Sequence, residues 1–405
     1  MANILGARLT STLSTESRII RAVDEQIALL EPNEAPLITI LTATEKMRKG
    51  ENSSLVEWLE DEYVPIWGVT DAAGYAADAT TINVADGTRF LAGDLFIVPK
   101  AVTSSAAPEL IRVTSVSTNA LTVVRGWAGT TAAIIAAAAT PVRIVGPAIA
   151  EGADRITSKS TTKVTNTNQM QIFRTAFEAS RSAMQTAAYG AAAGEWSLEM
   201  RKKLVEHKRA MNSAFLFGTK GSTVVSGKPV RSCNGLNSII TTNVKDGGGT
   251  LTEKVFDDFL ASAFRYGSRE KMGVFSSKIM QAVHYWAKSK LQIEVTTTTW
   301  GLKLTTMVTP FGNITLLNDW MLEHPPTGGT AGFGGMGFVI DPANVSYRFL
   351  KGHDGIGSSD TKVIELMPGQ NLATDGAYGE YITEACPVFK VEETHAKLFN
   401  VTDFS

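Results

Sequence analysis

EWSLEMRKKLVEHKRAMNSAFLF, residues Glu195 to Phe217, is the stretch on which the fold turns. Met200, Leu204, Met211 and Phe215 recur along one stripe, with His207 and Lys208 between them. Glu199 stands four residues before Lys203, the favourable order for a helical ion pair. Gly218 falls where a C-terminal cap belongs. A helix of this span is about 35 Å long at roughly 1.5 Å per residue, enough to cross a whole domain. Downstream, a second helix is expected from Thr252 to Tyr266, opened by the capping-box spacing of Thr250-Leu251-Thr252-Glu253 and stopped at Gly267. Its buried side is Val255, Phe256, Phe259, Leu260, Ala263 and Phe264. Val274-Phe275 reads as a short strand, and Ser277 caps a third helix to about Ala287. Lys303–Thr309 and Ile314–Asn318 flank Pro310-Phe311-Gly312-Asn313 as a hairpin, and Tyr378 to Val401 alternates like one long strand. Strands and a few long helices that do not alternate as βαβ units give an α+β class.

Upstream of the long helix, Met170 to Ala179 reads as a strand, preceded by a polar Thr/Ser/Lys/Asn run after Glu151-Gly152-Ala153-Asp154. Between about Ala76 and Gly146 the chain is rich in Val, Ile, Thr and Gly. Thr81–Val84, Asp94–Val98, Leu110–Val116 and Ala120–Val124 are short alternating runs separated by turn residues, the pattern of a small barrel or sandwich. The extended character on either side resumes after it, so this block reads as an insertion. Ser54 to Trp67, SLVEWLEDEYVPIW, is expected to be extended. The first fifty residues read as an arm with one helix, carried by Ile19, Ile20, Val23, Ile27 and Leu30 and ended by Pro32, and then a short apolar run from Glu34 to Leu41.

Composition narrows the function. Of 405 residues 19% are charged and 44% hydrophobic, with 38 Lys+Arg against 40 Asp+Glu and a net charge of −2. A disordered chain needs the opposite balance, and gripping nucleic acid needs a cationic surplus. So weak a self-repulsion leaves either a well-covered surface or a protein meant to associate. Cys233 and Cys386 have no CxxC neighbour and read as reduced, partly buried thiols. MANILGARLTSTLS has no apolar core of signal-peptide length, and the most apolar stretch, Ala128 to Ala139, is too short to span a bilayer. A soluble protein made and used in a cytoplasm is expected.

Motifs for chemistry fail on context. The five histidines, His207, His284, His324, His353 and His395, contain no HExxH and no i,i+3 or i,i+4 pair. His353-Asp354 sits on a Gly-rich loop. Gly332-Phe333-Gly334-Gly335-Met336-Gly337 matches GxGxxG but lacks the preceding strand and following helix of a dinucleotide site. Gly221 to Lys228 is one residue too long for a phosphate loop, and Pro229 stands where Ser or Thr would reach magnesium. Arg201-Lys202-Lys203, interleaved with glutamates, reads as a solvated helix face. Glu57, Glu60, Asp61 and Glu62 beside Trp58, Tyr63 and Trp67 leave two readings: a carboxylate pair acting on glycans, or an acidic edge that docks on a neighbouring chain. The second is favoured, and no catalytic, cofactor or metal site is expected.

The order of elements resembles the major capsid proteins of tailed bacteriophages, the Hong Kong ninety-seven type fold. The resemblance rests on Leu30-Glu31-Pro32-Asn33-Glu34-Ala35-Pro36-Leu37 followed by Glu57–Glu62, on Glu151-Gly152-Ala153 with Gln171-Ile172-Phe173-Arg174, and on the helix Glu199–Phe217. Thr309-Pro310-Phe311-Gly312, Phe338-Val339-Ile340-Asp341-Pro342 and Glu380-Tyr381-Ile382 complete it. It implies an N-terminal arm (1–52), an extended loop (53–75 and 147–180) interrupted by an inserted β-domain (76–146), a peripheral domain with a long spine helix (181–250 and 372–405) and an axial domain (251–371). It also implies a structural protein without cofactor, assembled in a host bacterial cytoplasm into pentamers and hexamers of an icosahedral virion shell around double-stranded DNA. Its partners would be other copies of itself, with portal, scaffold or decoration proteins, weak non-specific DNA contact and no membrane. Pro36, Leu37, Trp58, Glu60, Glu62, Tyr63, Trp67, Phe173 and Arg174 become the candidate subunit contacts. The alternative of the same fold is the shell of a cellular nanocompartment. Some relatives cross-link a Lys to an Asn; Lys100 lies in the insertion, but nothing local marks such a site.

Overall fold

The computed structural model describes residues 35–43, 48–71, 73–98, 108–136, 139–186, 194–290, 294–295, 305–323, 335–351, 360–367 and 375–405. The arm helix expected over Ile19–Leu30, Lys100, His324, His353-Asp354 and the start of the GxGxxG match at Gly332 lie outside the described residues. The chain divides into two compact units, one of Leu59–Thr165 and one of the residues on either side of it.

The flanking unit holds two sheets. In the first the order is β1 (Arg48–Glu51), β19 (Val345–Leu350), β21 (Gly376–Phe389) and β10 (Gln171–Ser180), with β20 (Thr361–Leu366) also on β21. β1 and β19 run parallel, whereas β21 is antiparallel to β10, β19 and β20. The second sheet has the order β13 (Val244–Leu251), β22 (Ala396–Phe404), β18 (Gly337–Ile340), β14 (Glu270–Phe275), β17 (Gly312–Asn318), β16 (Thr305–Thr309) and β15 (Glu294–Val295). β16 and β17 form the antiparallel hairpin, with Thr309 opposite Gly312. Two ribbons stand apart from these sheets: β2 (Leu55–Glu60) with β9 (Val164–Gln169), and β11 (Gly221–Val225) with β12 (Lys228–Ser232). The stretch compared with a phosphate loop is therefore a hairpin, turned at Ser226 and Gly227, which both have positive φ.

The helices are α1 (Pro36–Ala43), α2 (Arg181–Gln185), α3 (Glu195–Phe217), α4 (Leu236–Ile239), α5 (Glu253–Ala263) and α6 (Ser277–Lys290). α3 has the span its apolar stripe predicts, and Gly218 caps it in an extended, not left-handed, conformation (φ −57). Glycine serves there for space: a Cβ would stand 2.4 Å from the Ala214 carbonyl oxygen and 2.6 Å from that of Cys233. The second helix is capped by Thr252, whose hydroxyl accepts from the Val255 N–H, and Thr250 belongs to β13. The capping-box reading is corrected accordingly, because the sheet holds Thr250 in pairing with Asp403.

Two cores meet on the seven-stranded sheet. Phe256, Phe259 and Leu260 of α5 and Ile279 and Val283 of α6 pack with Phe275, Ile314, Leu316, Val339 and Leu398. Met272, Val274, Leu317, Phe338 and Ile340 join a second cluster with Met211, Phe215 and Leu216 of α3 and Tyr347, Phe349 and Phe389 of the first sheet. β18 is consequently buried at every residue. Strands covered on both faces read as apolar runs without alternation, as Phe338-Val339-Ile340 does.

α1 belongs to the second cluster. Pro36 begins the helix with its φ already set, and the Ile38 N–H donates to Asn212 Oδ1 of α3. Leu37 and Leu41 are 0% exposed.

The tail is two strands, not one. Val391 adopts a left-handed φ of 51, and a short turn of helix at Glu392–Thr394 separates β21 from β22, which enter different sheets. The break is held by the buried Lys271 ammonium, which donates to the carbonyls of Ala263, Tyr266 and Thr394. Burial lowers the Lys271 pKa to about 8, opposed by Asp341.

The second unit is a six-stranded sheet of order β3 (Trp67–Val69), β8 (Pro141–Pro147), β5 (Asp94–Val98), β6 (Glu109–Ser117), β7 (Ala120–Val124) and β4 (Thr81–Asn83). A bridge between Thr70 and Val84 joins its outermost strands, so the sheet closes on itself and leaves no free edge among the described residues. Ile82, Phe90, Phe96, Ile111, Val113, Leu121 and Val142 fill the interior. The four alternating runs read from the sequence are β4 to β7, and the unit is wider than 76–146 because β3 and the segment after β8 belong to it. Arg125 is clasped by Glu109 at 2.7 Å from both Nε and Nη2, and Glu109 also accepts from the backbone of Gly126 and Ala133. Both side chains are under 10% exposed, so the pair pins the loop after β7 from within.

Candidate assembly surface

The nine residues read as subunit contacts separate into three groups. Pro36, Leu37 and Phe173 are corrected: they are buried in the chain's own core and offer nothing to a neighbour. Phe173 packs edge-on against Phe215 and His207, with ring centres 6.2 and 6.5 Å apart. The arm's apolar run lacks a partner only in sequence; in space Asn212 and Phe215 lie against it.

Arg174 and Trp58 are engaged within the chain. Arg174 binds Glu380 with Nη2 2.6 Å from Oε1, and Tyr378 donates to the same carboxylate at 2.9 Å. The guanidinium holds the Glu380 carboxyl below its usual range, opposed by desolvation and helped by the tyrosine hydroxyl. Trp58 packs partly buried on the second cluster. Half-exposed Glu60 shares its side of β2 with Val56 and Trp58.

Glu62, Tyr63 and Trp67 are exposed, Tyr63 to 99% and Trp67 to 45%. The strand pleat explains what the sequence reading missed. In β2, Val56 is buried while Leu55 and Leu59, on the opposite side, are 41% and 64% exposed. The signal was present in the alternation of Leu55-Val56-Glu57-Trp58-Leu59. Ile66 and Val69 continue the exposed run, and Val145, Ile149, Ile156 and Val164 line the return. Isolated exposed apolar residues are ordinary on a protein surface; a run of them marks an interaction site.

Chemistry has little to work with here. Among the described residues no group of three or more His, Cys, Asp and Glu could hold a metal. No described helix is long and apolar enough to cross a membrane. Both cysteines are free and buried, the Cys233 thiol pushed up to about 12 by burial.

Comparison with known proteins gives the class. The SU10 major capsid protein family model matches residues 6–402. A major capsid protein of Pseudomonas phage PaMx41 is 29% identical over 187 residues, 45% of this chain and 43% of that protein. The match thus spans less than half the length of that relative. Among solved structures, the capsid of a native GTA particle is 10% identical with a TM-score of 0.49, covering 98% of this chain and 100% of that one. A chain from Mycobacterium phage Adephagia is 12% identical with a TM-score of 0.45, covering 95% and 93%. This chain belongs to the SU10 major capsid protein family.

Proposed function

We propose that this protein is the shell subunit of a phage head, self-assembling into pentamers and hexamers of an icosahedral container for double-stranded DNA. Family membership over residues 6–402 carries the reading, and it favours a phage shell over a cellular nanocompartment. Two physical features support it. The exposed apolar run from Leu55 to Val69 suits contact with copies of the same chain, and a net charge of −2 lets many copies lie side by side with little repulsion. In this reading the β-domain at about 76–146 is an insertion into the extended loop of 53–75 and 147–180, α3 is the spine of a peripheral domain, and residues 251–371 form the axial domain. The role is structural and needs no cofactor. Scaffold, portal and decoration proteins are its further partners, DNA contact is weak and non-specific, and assembly takes place in the host cytoplasm. Negative-stain electron microscopy of the purified protein tests this: capsomers, shells or sheets are expected, and a monomer that persists at high concentration overturns it.

A further inference from the structure

Register places one unusual surface on the outside of the closed sheet. Arg143 stands opposite Trp67 on one side and Ile97 on the other, and Ile97 stands opposite Leu110. Val145, which a bulge leaves unpaired between Ile144 and Gly146, stands at the surface beside them, and Arg112 shares the face of Leu110. Their neighbours Val142, Phe96 and Ile111 point inward and are 0% exposed. The outward face is therefore apolar and cationic. Trp67 and Val145 are 45% and 58% exposed. Arg143 lies over the Trp67 ring at 5.4 Å and makes no ion pair among the described residues. Arg112 lies over Trp127 at 5.1 Å, and its buried Nε has no hydrogen-bond partner.

The same unit carries the complement. Leu59, Asp61, Glu62 and Tyr63 form an open strip whose tyrosine is almost wholly exposed. Among the described residues Asp61 accepts from neutral groups only, the Thr161 hydroxyl and the Glu62 N–H, and makes no ion pair. Arg143 and Arg112, the latter also donating from Nη2 to the Ala148 carbonyl at 3.5 Å, make no ion pair among the described residues, and these two guanidiniums among apolar side chains match two carboxylates flanked by Leu59 and Tyr63.

We infer that the strip Leu59–Tyr63 of one copy docks on the Trp67/Arg143/Val145 face of the next. Donor and acceptor are different patches, so the contact is heterologous and propagates around a ring instead of stopping at a pair. Stacking against Trp67 holds the Arg143 guanidinium in place for a carboxylate.

This rests on the shell-subunit reading, and cross-linking separates the two. Tyr63→Cys and Val145→Cys are made in separate chains, coexpressed, and the assembled particles are oxidised with copper phenanthroline. A disulfide-linked dimer is expected in mixed particles and at least about tenfold less in particles of either variant alone. Adding Arg143→Glu lowers the yield about tenfold, since like charges meet, and Asp61→Lys with Glu62→Lys in the partner chain restores it. Particles that form without the mixed dimer, or a yield indifferent to charge reversal, overturn the docking and leave the shell reading intact. The absence of any particle overturns both.

Discussion

Burial of His207 makes the fold sensitive to acid. The side chain is 1% exposed, at the point where α3 crosses β10 and β21. Its Nδ1 is 3.0 Å from the Thr175 hydroxyl and its Nε2 2.9 Å from that of Thr383. Thr383 donates its proton to Thr361, so it accepts from Nε2–H, and the Thr175 hydroxyl donates to Nδ1. A second ring proton would displace the Thr175 donor and bury a charge among Phe173 and Tyr381. Burial accordingly lowers the pKa from 6.5 to about 4. Because the folded value is the lower one, the unfolded chain binds the proton more readily, and stability falls as the pH drops from 6.5 towards 4. At pH 5 the loss is about 2 kcal/mol, approaching about 3 kcal/mol below pH 4, at roughly 1.4 kcal/mol per pKa shift of one. His207→Gln keeps a neutral hydrogen-bonding side chain and removes this dependence. Urea unfolding of unassembled subunits, followed by tryptophan fluorescence at pH 7 and pH 5, compares the two chains. The wild type should lose about 2 kcal/mol more than the variant on acidification. His395, also lowered to about 4, contributes the same background to both. Equal losses in the two proteins would refute the assignment.

Glu109→Ala leaves Arg125 charged and buried, and should destabilise the closed sheet by about 3–5 kcal/mol, seen as new protease cleavage within residues 76–136 of the full chain. Gly218→Ala forces a methyl group against two carbonyl oxygens and should lower the melting midpoint at a cost of about 1–3 kcal/mol, whereas Gly129→Ala meets no atom within 4 Å but must adopt a φ of +78 and should cost less. Both native thiols should resist Ellman's reagent at pH 8 and react only after denaturation, because each is 0% exposed and burial raises each pKa.

Elements whose determinants are local were readable. α3 is bounded by Gly194 and Gly218, and its buried stripe repeats within the helix itself. The strands of the closed sheet alternate because one face is buried, with turns such as Asp86-Gly87 between them. Determinants set by distant residues were hidden. Leu37 looked free because its companions Phe215 and Tyr347 stand far along the chain. Val391 does not advertise a break, since a β-branched residue disfavours positive φ; the break exists because Lys271 and the two sheets hold it. The assembly surface was half legible: Tyr63 and Trp67 stood out as aromatic, but only the pleat of β2 and the register of β3 and β8 show which apolar side chains face outward.

The place of β22 bears on how the molecule is made. Residues 396–404 lie between β13 and β18, and among the described residues β13 pairs with no other strand. Until that segment has left the ribosome, β13 has nothing to join, and Leu398 and Val401 are missing from the core beneath α5 and α6. Pairing across about 150 residues of chain is also slow, because a large loop must close before any contact rewards it. Maturation of the sheet is thereby timed to the emergence of residues 396–404. A nascent chain stalled short of residue 396 should hold α3 and the closed sheet folded while α5 and α6 still await their floor.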